Sequence, residues 1–202
     1  MMKIKIIILL FISIFLGVLI NEHDLLIKVP KDERKLVQIS EKTITGKVIH
    51  IDDGDSFKMA NGKVIRLFGI DAPELLQKCT IAVKVENNLE STVRYKTIKC
   101  GEEAKEKLSS IIFNKEINCI IKGKDAYGRL VANCTVKKYN TKTKKNEIIN
   151  INKEMVLSGN AVAFQQISDE YIDDENEAKL ENRGIWATNF DLPYIYRRKN
   201  RK

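Results

Sequence analysis

The sequence has very little histidine and no closely spaced cysteine pair. His23 and His50 are the only histidines, and the four cysteines form no CxxC motif. Zinc sites are usually built from such residues, so we do not expect one. There is no internal repeat, and the only low-complexity stretch is a lysine-rich segment, interpreted as a loop, at 137–145. A chain of 202 residues is also too short for two ordinary domains, so we expect one domain with appendages.

The composition, 44% hydrophobic and 31% charged residues, is that of a folded soluble domain, except at the N-terminus. Lys3 and Lys5 precede an uncharged, almost wholly apolar run from Ile6 to Ile20. This run is shorter than the roughly 20 residues of a spanning helix, which favours a secretory signal peptide. Because no clear cleavage site follows, a retained membrane anchor and a buried helix remain alternatives for residues 1–21. Residues 22–42 are interpreted as a linker.

The chain is basic, with a formal net charge of +8. An excess of positive charge attracts polyanions such as nucleic acids or anionic membrane surfaces. Part of this charge lies in a basic C-terminal tail, residues 194–202, which contains Arg197, Arg198, Lys199, Arg201 and Lys202. We expect this tail to be a solvated end of the chain.

Short β-branched segments and turn signals predict a small barrel. Strands are predicted at 44–51, 56–60, 63–70, 116–122, 129–138 and 148–151, and helices at 101–113, 153–158 and 169–182. Asn61-Gly62 is a hairpin turn signal, and Asp53 and Asp125 are interpreted as turn residues. Residues 75–100 show no clear period and are interpreted as an excursion from the surface. The order indicates an α+β, mainly β fold: a five-stranded, oligonucleotide-binding Greek-key barrel (OB-fold) with about three flanking helices.

The residues that carry chemistry are concentrated between 51 and 74. Asp55 begins one strand and Asp71 ends the next, so their carboxylates are candidate ligands for a hard cation such as Ca²⁺. Arg66 and Arg129 are candidates for binding a phosphodiester, because planar guanidinium groups hold its oxygens through paired hydrogen bonds. Glu74 is the candidate for orienting or deprotonating the attacking water.

The four cysteines are predicted to form two disulfides if the chain is exported. With a turn centred between Ala126 and Tyr127, Cys119 and Cys134 face each other across a hairpin, within the roughly 4.4 to 6.8 Å Cα separation that a disulfide tolerates. Cys79 and Cys100 then pair by elimination. The alternative is four reduced cysteines in the core.

Three blocks resemble the staphylococcal nuclease (thermonuclease-like) family: ITGKVIHIDDGDSFKM, RLFGIDAPE and DAYGRLVA. The stretch ENRGIWATNFDLPYIYRR also resembles the close of many bacterial members that carry signal peptides. The likeness covers residues 43–193, the predicted domain. It implies the roles given above for the two aspartates, the two arginines and Glu74, and adds the main-chain carbonyl of Ala72 to the Ca²⁺ ligands.

The same resemblance implies an enzyme that cleaves DNA and RNA to products with 3′-phosphate ends. From the N-terminal apolar segment we expect it to be secreted, periplasmic or membrane-tethered, and we expect a monomer. Tyr127 and Phe164 are the implied substrate contacts. Departures from the type enzyme affect affinity: Ala72 replaces a threonine, Ala126 replaces a phosphate-contacting lysine, and Phe164 and Gln166 replace paired tyrosines. Two other functions remain open at this point, a non-catalytic nucleic-acid-binding module and a surface-anchored interaction protein.

Overall fold

The computed structural model describes residues 42–87 and 90–200. The predicted leader and nearly all of the predicted linker lie outside these residues. In chain order the strands are β1 (Thr43–Ile51), β2 (Ser56–Met59), β3 (Val64–Leu67), β4 (Ile70–Asp71), β5 (Cys79–Asn87), β6 (Glu90–Ile98), β7 (Glu116–Lys124), β8 (Leu130–Asn140), β9 (Lys145–Asn150) and β10 (Val162–Ala163). The helices are α1 (Cys100–Ile112), α2 (Ile151–Leu157), α3 (Ile172–Leu180) and α4 (Pro193–Asn200), with a 3₁₀ helix at Gly184–Ala187.

Five strands form a closed barrel, as predicted. The sheet order is β3-β2-β1-β7-β8-β9, and a parallel pairing of β3 with β8 closes it. β1 pairs with two strands. Residues 43–47 pair with β7, and residues 48–51 pair with β2, with a register shift between Val48 and His50. Such an irregularity bends a strand, so one long strand can follow the curvature of the barrel. β9 extends the sheet beyond β8.

The barrel interior and the inner face of α1 form the main core. Phe57, Ile65 and Leu67 from the strands pack with Ala104 and Leu108 from the helix. Burial of these apolar side chains is the main stabilising contribution to the fold. The helix approaches closely because residue 54 is glycine: a Cβ atom there would lie 2.7 Å from the Cβ atoms of both Ala104 and Ala72.

A second, smaller apolar cluster lies outside the barrel, and we call it the side cluster. Its buried members are Cys79, Cys100, Val162 and Ile185, and Ile98, Trp186, Phe190 and Leu192 pack against them. It joins the base of the β5–β6 hairpin to the segment that leads into α4. The Trp186 and Phe190 rings meet edge to face with centroids 5.2 Å apart, a favourable aromatic geometry.

Both predicted disulfides are present. Cys79–Cys100 closes the base of the β5–β6 hairpin, and Cys119–Cys134 joins β7 to β8 within the main core. The Cα atoms of Cys119 and Cys134 are 4.1 Å apart, slightly closer than expected. These residues face each other without exchanging main-chain hydrogen bonds, since the Cys134 amide donates to the Asn152 side chain. Such pairs are the closest in an antiparallel sheet.

The structure differs from the sequence interpretation in three places. The excursion at 75–100 is mostly an ordered two-stranded hairpin, β5–β6. The lysine-rich loop is shorter than 137–145, since β8 continues to Asn140 and β9 begins at Lys145. Most of the C-terminal tail is helical: α4 runs from Pro193 to Asn200. Within residues 42–87 and 90–200, no helix is long and apolar enough to cross a membrane.

Candidate active site

A cleft of about 460 Å³ on the barrel surface brings most of the predicted site residues together. Its lining includes Arg66, Glu74, Tyr127, Arg129 and Phe164. Asp55 and Asp71 do not line the cleft themselves; they are buried beneath its floor, where both form ion pairs with Arg66. The chain segments that meet here are the ends of β2, β3 and β4, the turn before β8 and the segment after β10.

Asp55 is fixed by its local turn and by three donors. Its amide bonds the Asp53 carboxylate at 2.9 Å, which shapes the turn as predicted for Asp53. Its Oδ1 accepts hydrogen bonds from Arg66 Nη1 at 2.7 Å and from the Ser56 hydroxyl at 2.8 Å. Its Oδ2 accepts from the amide of Ala72 at 3.0 Å. These bonds hold a buried carboxylate charge in place.

Asp71 lies on β4, which is held against β10, and its side chain is fully buried. Its Oδ1 accepts from Arg66 Nη2 at 3.0 Å, so one guanidinium bridges the two aspartates. Burial raises the pKa of Asp71, while nearby arginines oppose the rise. Burial alone would lower the pKa of Arg66, but Asp55 and Asp71 raise it overall. Arg66 therefore remains charged.

Arg129 is held at the opposite side of the cleft by the turn that precedes β8. Its Nε donates to Asp125 Oδ2 at 2.6 Å, and its Nη1 donates to the Ser56 hydroxyl at 3.2 Å. Asp125 Oδ1 also accepts from the amides of Tyr127 and Arg129, so Asp125 shapes the turn as predicted. The guanidinium lies 5.6 Å from the centre of the Tyr127 ring, which is otherwise 84% exposed. An exposed ring at the mouth of the cleft is available for stacking with a base.

Glu74 lies at the rim of the cleft, with its side chain 37% exposed. Its main chain is anchored by Gln77, whose amide donates to the Glu74 carbonyl at 2.7 Å and whose Oε1 accepts from the Glu74 amide at 3.2 Å. Phe164 lines the far wall, where its amide donates to the Gly69 carbonyl at 2.8 Å. Gln166 does not line this cleft; it lines a neighbouring pocket with Trp186.

The sequence interpretation missed Arg197, which reaches into this site from α4. Its Nη1 donates to Asp71 Oδ1 at 2.8 Å and to Glu74 Oε1 at 2.7 Å, and its Nη2 donates to Asp71 Oδ2 at 2.9 Å. The tail is therefore not a solvated end at this residue. The sequence signal for this contact is the proline, aromatic, arginine pattern of residues 193–198.

The acidic side chains of the site supply donors of the type that a hard divalent cation binds. Four acidic side chains lie around two arginines: Asp53, Asp55, Asp71 and Glu74 around Arg66 and Arg197. Burial and the charge of Asp55 raise the pKa of Asp53 to about 7, an effect that a nearby cation would oppose. Oxygen donors suit hard cations. Within the described ranges, no three acidic, histidine or cysteine side chains are arranged around one point, so main-chain oxygen and water would complete the ligand set.

Comparison with known proteins identifies the family of this chain. The family model described as "Staphylococcal nuclease homologue" matches residues 64–188. A protein of Haemophilus influenzae named "Uncharacterized endonuclease" is 29% identical over 169 residues, which cover 80% of this chain and 78% of that protein. Among solved structures, the extended Tudor domain of Drosophila melanogaster Tudor-SN (p100) matches with a TM-score of 0.35 and 12% identity, covering 72% of this chain and all of that one. The chain thus belongs to the family of staphylococcal nuclease homologues.

Proposed function

We propose that the protein is a Ca²⁺-dependent phosphodiesterase that hydrolyses DNA and RNA and leaves 3′-phosphate ends. The observation that carries the proposal is one connected cluster: Asp55 and Asp71 bridged by Arg66, with Arg129 and Glu74 on the walls of the same cleft. Membership of a nuclease family and the similarity to an endonuclease support it.

Asp55 and Asp71, with the carbonyl of Ala72, would hold the Ca²⁺ ion. One carboxylate comes from the turn before β2 and the other from β4, and the amide of Ala72 ties residue 72 to Asp55. When bound, Ca²⁺ supplies positive charge beside the phosphate and polarises its oxygen ligands.

Arg66 and Arg129 bind the phosphodiester oxygens in this mechanism. Both guanidiniums are already oriented by acceptors, Arg66 by the two aspartates and Arg129 by Asp125. Orientation before binding is what makes such groups effective at a developing negative charge. The Ser56 hydroxyl connects the two halves, since it donates to Asp55 and accepts from Arg129.

Glu74 accepts a proton from the attacking water or orients that water. Its carboxylate lies at the solvent-accessible rim and contacts Arg197. Tyr127 and Phe164 offer aromatic faces to the neighbouring bases, which tolerates many sequences because every base can stack.

The test is hydrolysis of single-stranded DNA and RNA by the full chain, with Ca²⁺ and with a chelator. We expect cleavage only with Ca²⁺ and products that lose phosphate from their 3′ ends on phosphatase treatment. Arg129→Ala and Glu74→Gln should each lower kcat by about 10²-fold or more. Arg198→Ala and Glu103→Gln are matched controls, because they make the same charge changes away from the cleft.

Either of two results would contradict this proposal. One is Ca²⁺-independent cleavage that survives in both variants. The other is DNA binding by an intact wild-type fold without turnover, which would support the non-catalytic binding module instead.

We also propose that the enzyme is exported. Two disulfides fit an oxidising compartment. Fractionation of cells with N-terminal sequencing of the recovered protein tests this and distinguishes a cleaved signal peptide from a retained anchor. Recovery in the cytoplasm with four free thiols would contradict it.

A further inference from the structure

Arg197 occupies an unusual place for a residue near the end of a basic chain. It forms a bidentate pair with Asp71, whose side chain is fully buried, and it also contacts Glu74. Bidentate arginine–carboxylate pairs are the strong, geometrically specific kind. Its basic neighbours do not contact the site. Lys199 forms an ion pair with Asp191, and the Arg198 side chain forms no hydrogen bond or ion pair within the described part of the chain.

The path that places Arg197 here is well anchored. Gln77, which is buried, donates from Nε2 to the carbonyl of Asp191 at 2.6 Å just before α4. Leu192 packs against the side cluster, and the Tyr196 hydroxyl donates to the carbonyl of Leu76 at 3.4 Å. Gln77 therefore anchors both the Glu74 main chain and the segment that leads to Arg197.

The guanidinium of Arg197 contacts both oxygens of Asp71. A cation bound by Asp71 must share or replace these contacts, because like charges at this distance repel. Arg197 also lines the same cleft as Arg66 and Arg129.

We propose that Arg197 is a third arginine of the active site, which holds Asp71 and Glu74 in the cation-free protein and moves to the substrate phosphate when cation and substrate are bound. This inference rests on the proposed function. It assigns a catalytic role to the C-terminal helix, and it predicts opposite effects of one substitution on cation affinity and on turnover.

The experiment compares Arg197→Gln with the matched control Arg198→Gln in the full chain. Titration calorimetry with Ca²⁺ alone should show affinity about tenfold or more tighter in Arg197→Gln, because a competing positive charge is gone. Steady-state cleavage of single-stranded DNA at saturating Ca²⁺ should show kcat lower by about 10²-fold. Arg198→Gln should match the wild type in both.

Unchanged Ca²⁺ affinity or unchanged kcat in a folded Arg197→Gln protein overturns the inference. If that variant does not fold, Arg197→Lys replaces it, since lysine keeps the charge but loses the bidentate geometry. For Arg197→Lys, kcat should still fall while Ca²⁺ affinity stays near that of the wild type, and an unchanged kcat overturns the inference. A wild type that does not cleave with Ca²⁺ would instead contradict the proposed function, so the two failures are distinguishable.

A separate observation concerns the β5–β6 hairpin. Its nine-residue strands correspond to roughly 30 Å of ribbon. Among the described residues they pair only with each other, apart from a bridge between Thr80 and Asn189 at the base. We call this ribbon the arm; the disulfide Cys79–Cys100 closes its base, two residues from Gln77, the residue that anchors Glu74.

The arm exposes cations that have no acidic partner in the described part of the chain. These are Lys84, Arg94 and Lys96. Tyr95 and Val93 are also exposed, at 76% and 56%. Free cations with an exposed aromatic ring are complementary to a phosphate backbone and its bases.

We infer that the arm binds the nucleic acid strand that flanks the cleaved bond. This second inference also rests on the proposed function. The exposed cations and aromatic ring of the arm, and the link from its base through Gln77 to Glu74, favour nucleic acid over other partners. The arm then adds affinity for long substrates and none for a dinucleotide.

The test measures binding to a 30-nucleotide single strand without Ca²⁺ at several salt concentrations. Changing Lys84, Arg94 and Lys96 together to Gln should reduce the slope of log affinity against log salt by about 2 to 3, the value for three lost phosphate contacts. The matched control changes Lys137, Lys138 and Lys142, on the β8–β9 hairpin, to Gln and should keep the wild-type slope.

Equal slopes in the two triple variants overturn the arm inference. So does a result in which the arm variant loses binding to vesicles of anionic phospholipid while its nucleic acid slope is unchanged. Because these titrations need no cleavage, they are independent of the test of the proposed function.

Discussion

The barrel and the side cluster each support a different part of the candidate site. The barrel carries Arg66 on β3, which pairs with both β2 and β8, and it places Asp55 in the turn just before β2, while Asp71 lies on β4, which pairs with β10. The side cluster supports Gln77 and Arg197 through a disulfide, an aromatic pair and a few apolar contacts. Barrel contacts thus fix the charges at the floor, whereas the rim depends on a small cluster that can be weakened without opening the barrel.

The largest effect is expected for Arg66→Met, a substitution in the barrel. It leaves two buried carboxylates without their shared partner, which should lower the free energy of unfolding by about 3–5 kcal/mol and abolish cleavage. Denaturant unfolding measures the first effect. Arg94→Met, on the exposed arm, should change stability by less than about 0.5 kcal/mol, and equal losses in the two variants would contradict the prediction.

The two disulfides allow the barrel and the side cluster to be weakened separately. Removing either as a pair of alanines, Cys79 with Cys100 or Cys119 with Cys134, should lower the free energy of unfolding by about 3 kcal/mol. Only loss of Cys79–Cys100 should also lower kcat per folded molecule, because it loosens the base beside Gln77. If only the Cys119–Cys134 variant lost activity, the rim of the cleft would depend on the barrel rather than on the side cluster, which would contradict our assignment.

Gly101→Ala tests the contact between α1 and the Glu74 segment. A Cβ atom at residue 101 would lie 1.8 Å from the carbonyl oxygen of Glu74. The two segments must separate, which should reduce stability by about 1–3 kcal/mol and lower kcat. Gly123→Ala is the control, since nothing lies within 4 Å of the added atom. Thermal unfolding and cleavage assays on both variants decide the matter.

The smallest effect is expected for Phe190→Leu in the side cluster. Loss of the edge-to-face contact with Trp186 should lower the free energy of unfolding by about 0.5–1.5 kcal/mol. Phe113→Leu, at a half-exposed position after α1, should have almost none. A larger loss at Phe113 than at Phe190 would mean that the side cluster contributes little.

Sequence reasoning predicted the barrel well because its strands carry a clear signal. β1, β2 and β3 are β-branched runs separated by turn residues, and the spacing of Ala104, Leu108 and Ile112 marks the buried face of α1. The floor of the site followed from the same segments, since Asp55 and Asp71 stand at strand ends. The pairing of Cys119 with Cys134 followed from one turn.

The missed features carried weaker signals. β5 and β6 do alternate apolar and charged residues, at Val83-Lys84-Val85-Glu86 and Val93-Arg94-Tyr95-Lys96. Because most of their described side chains are exposed, the alternation does not mark a buried face. α4 has almost no buried side chain besides Pro193. The bonds from Arg197 to Asp71 join residues distant in the sequence, and only the folded chain brings them together.

The parallel pairing of β3 with β8 has a consequence for how activity arises during folding. It aligns Arg66 with Val131, two residues from Arg129, across a long loop that contains the arm, α1 and β7. Long-range closure is entropically demanding and slow compared with hairpin formation. Arg66 and Arg129 therefore come together only when the barrel closes, and a partly folded chain with native hairpins still lacks the complete candidate site. Recovery of activity after dilution from denaturant would report the final closing step of the molecule.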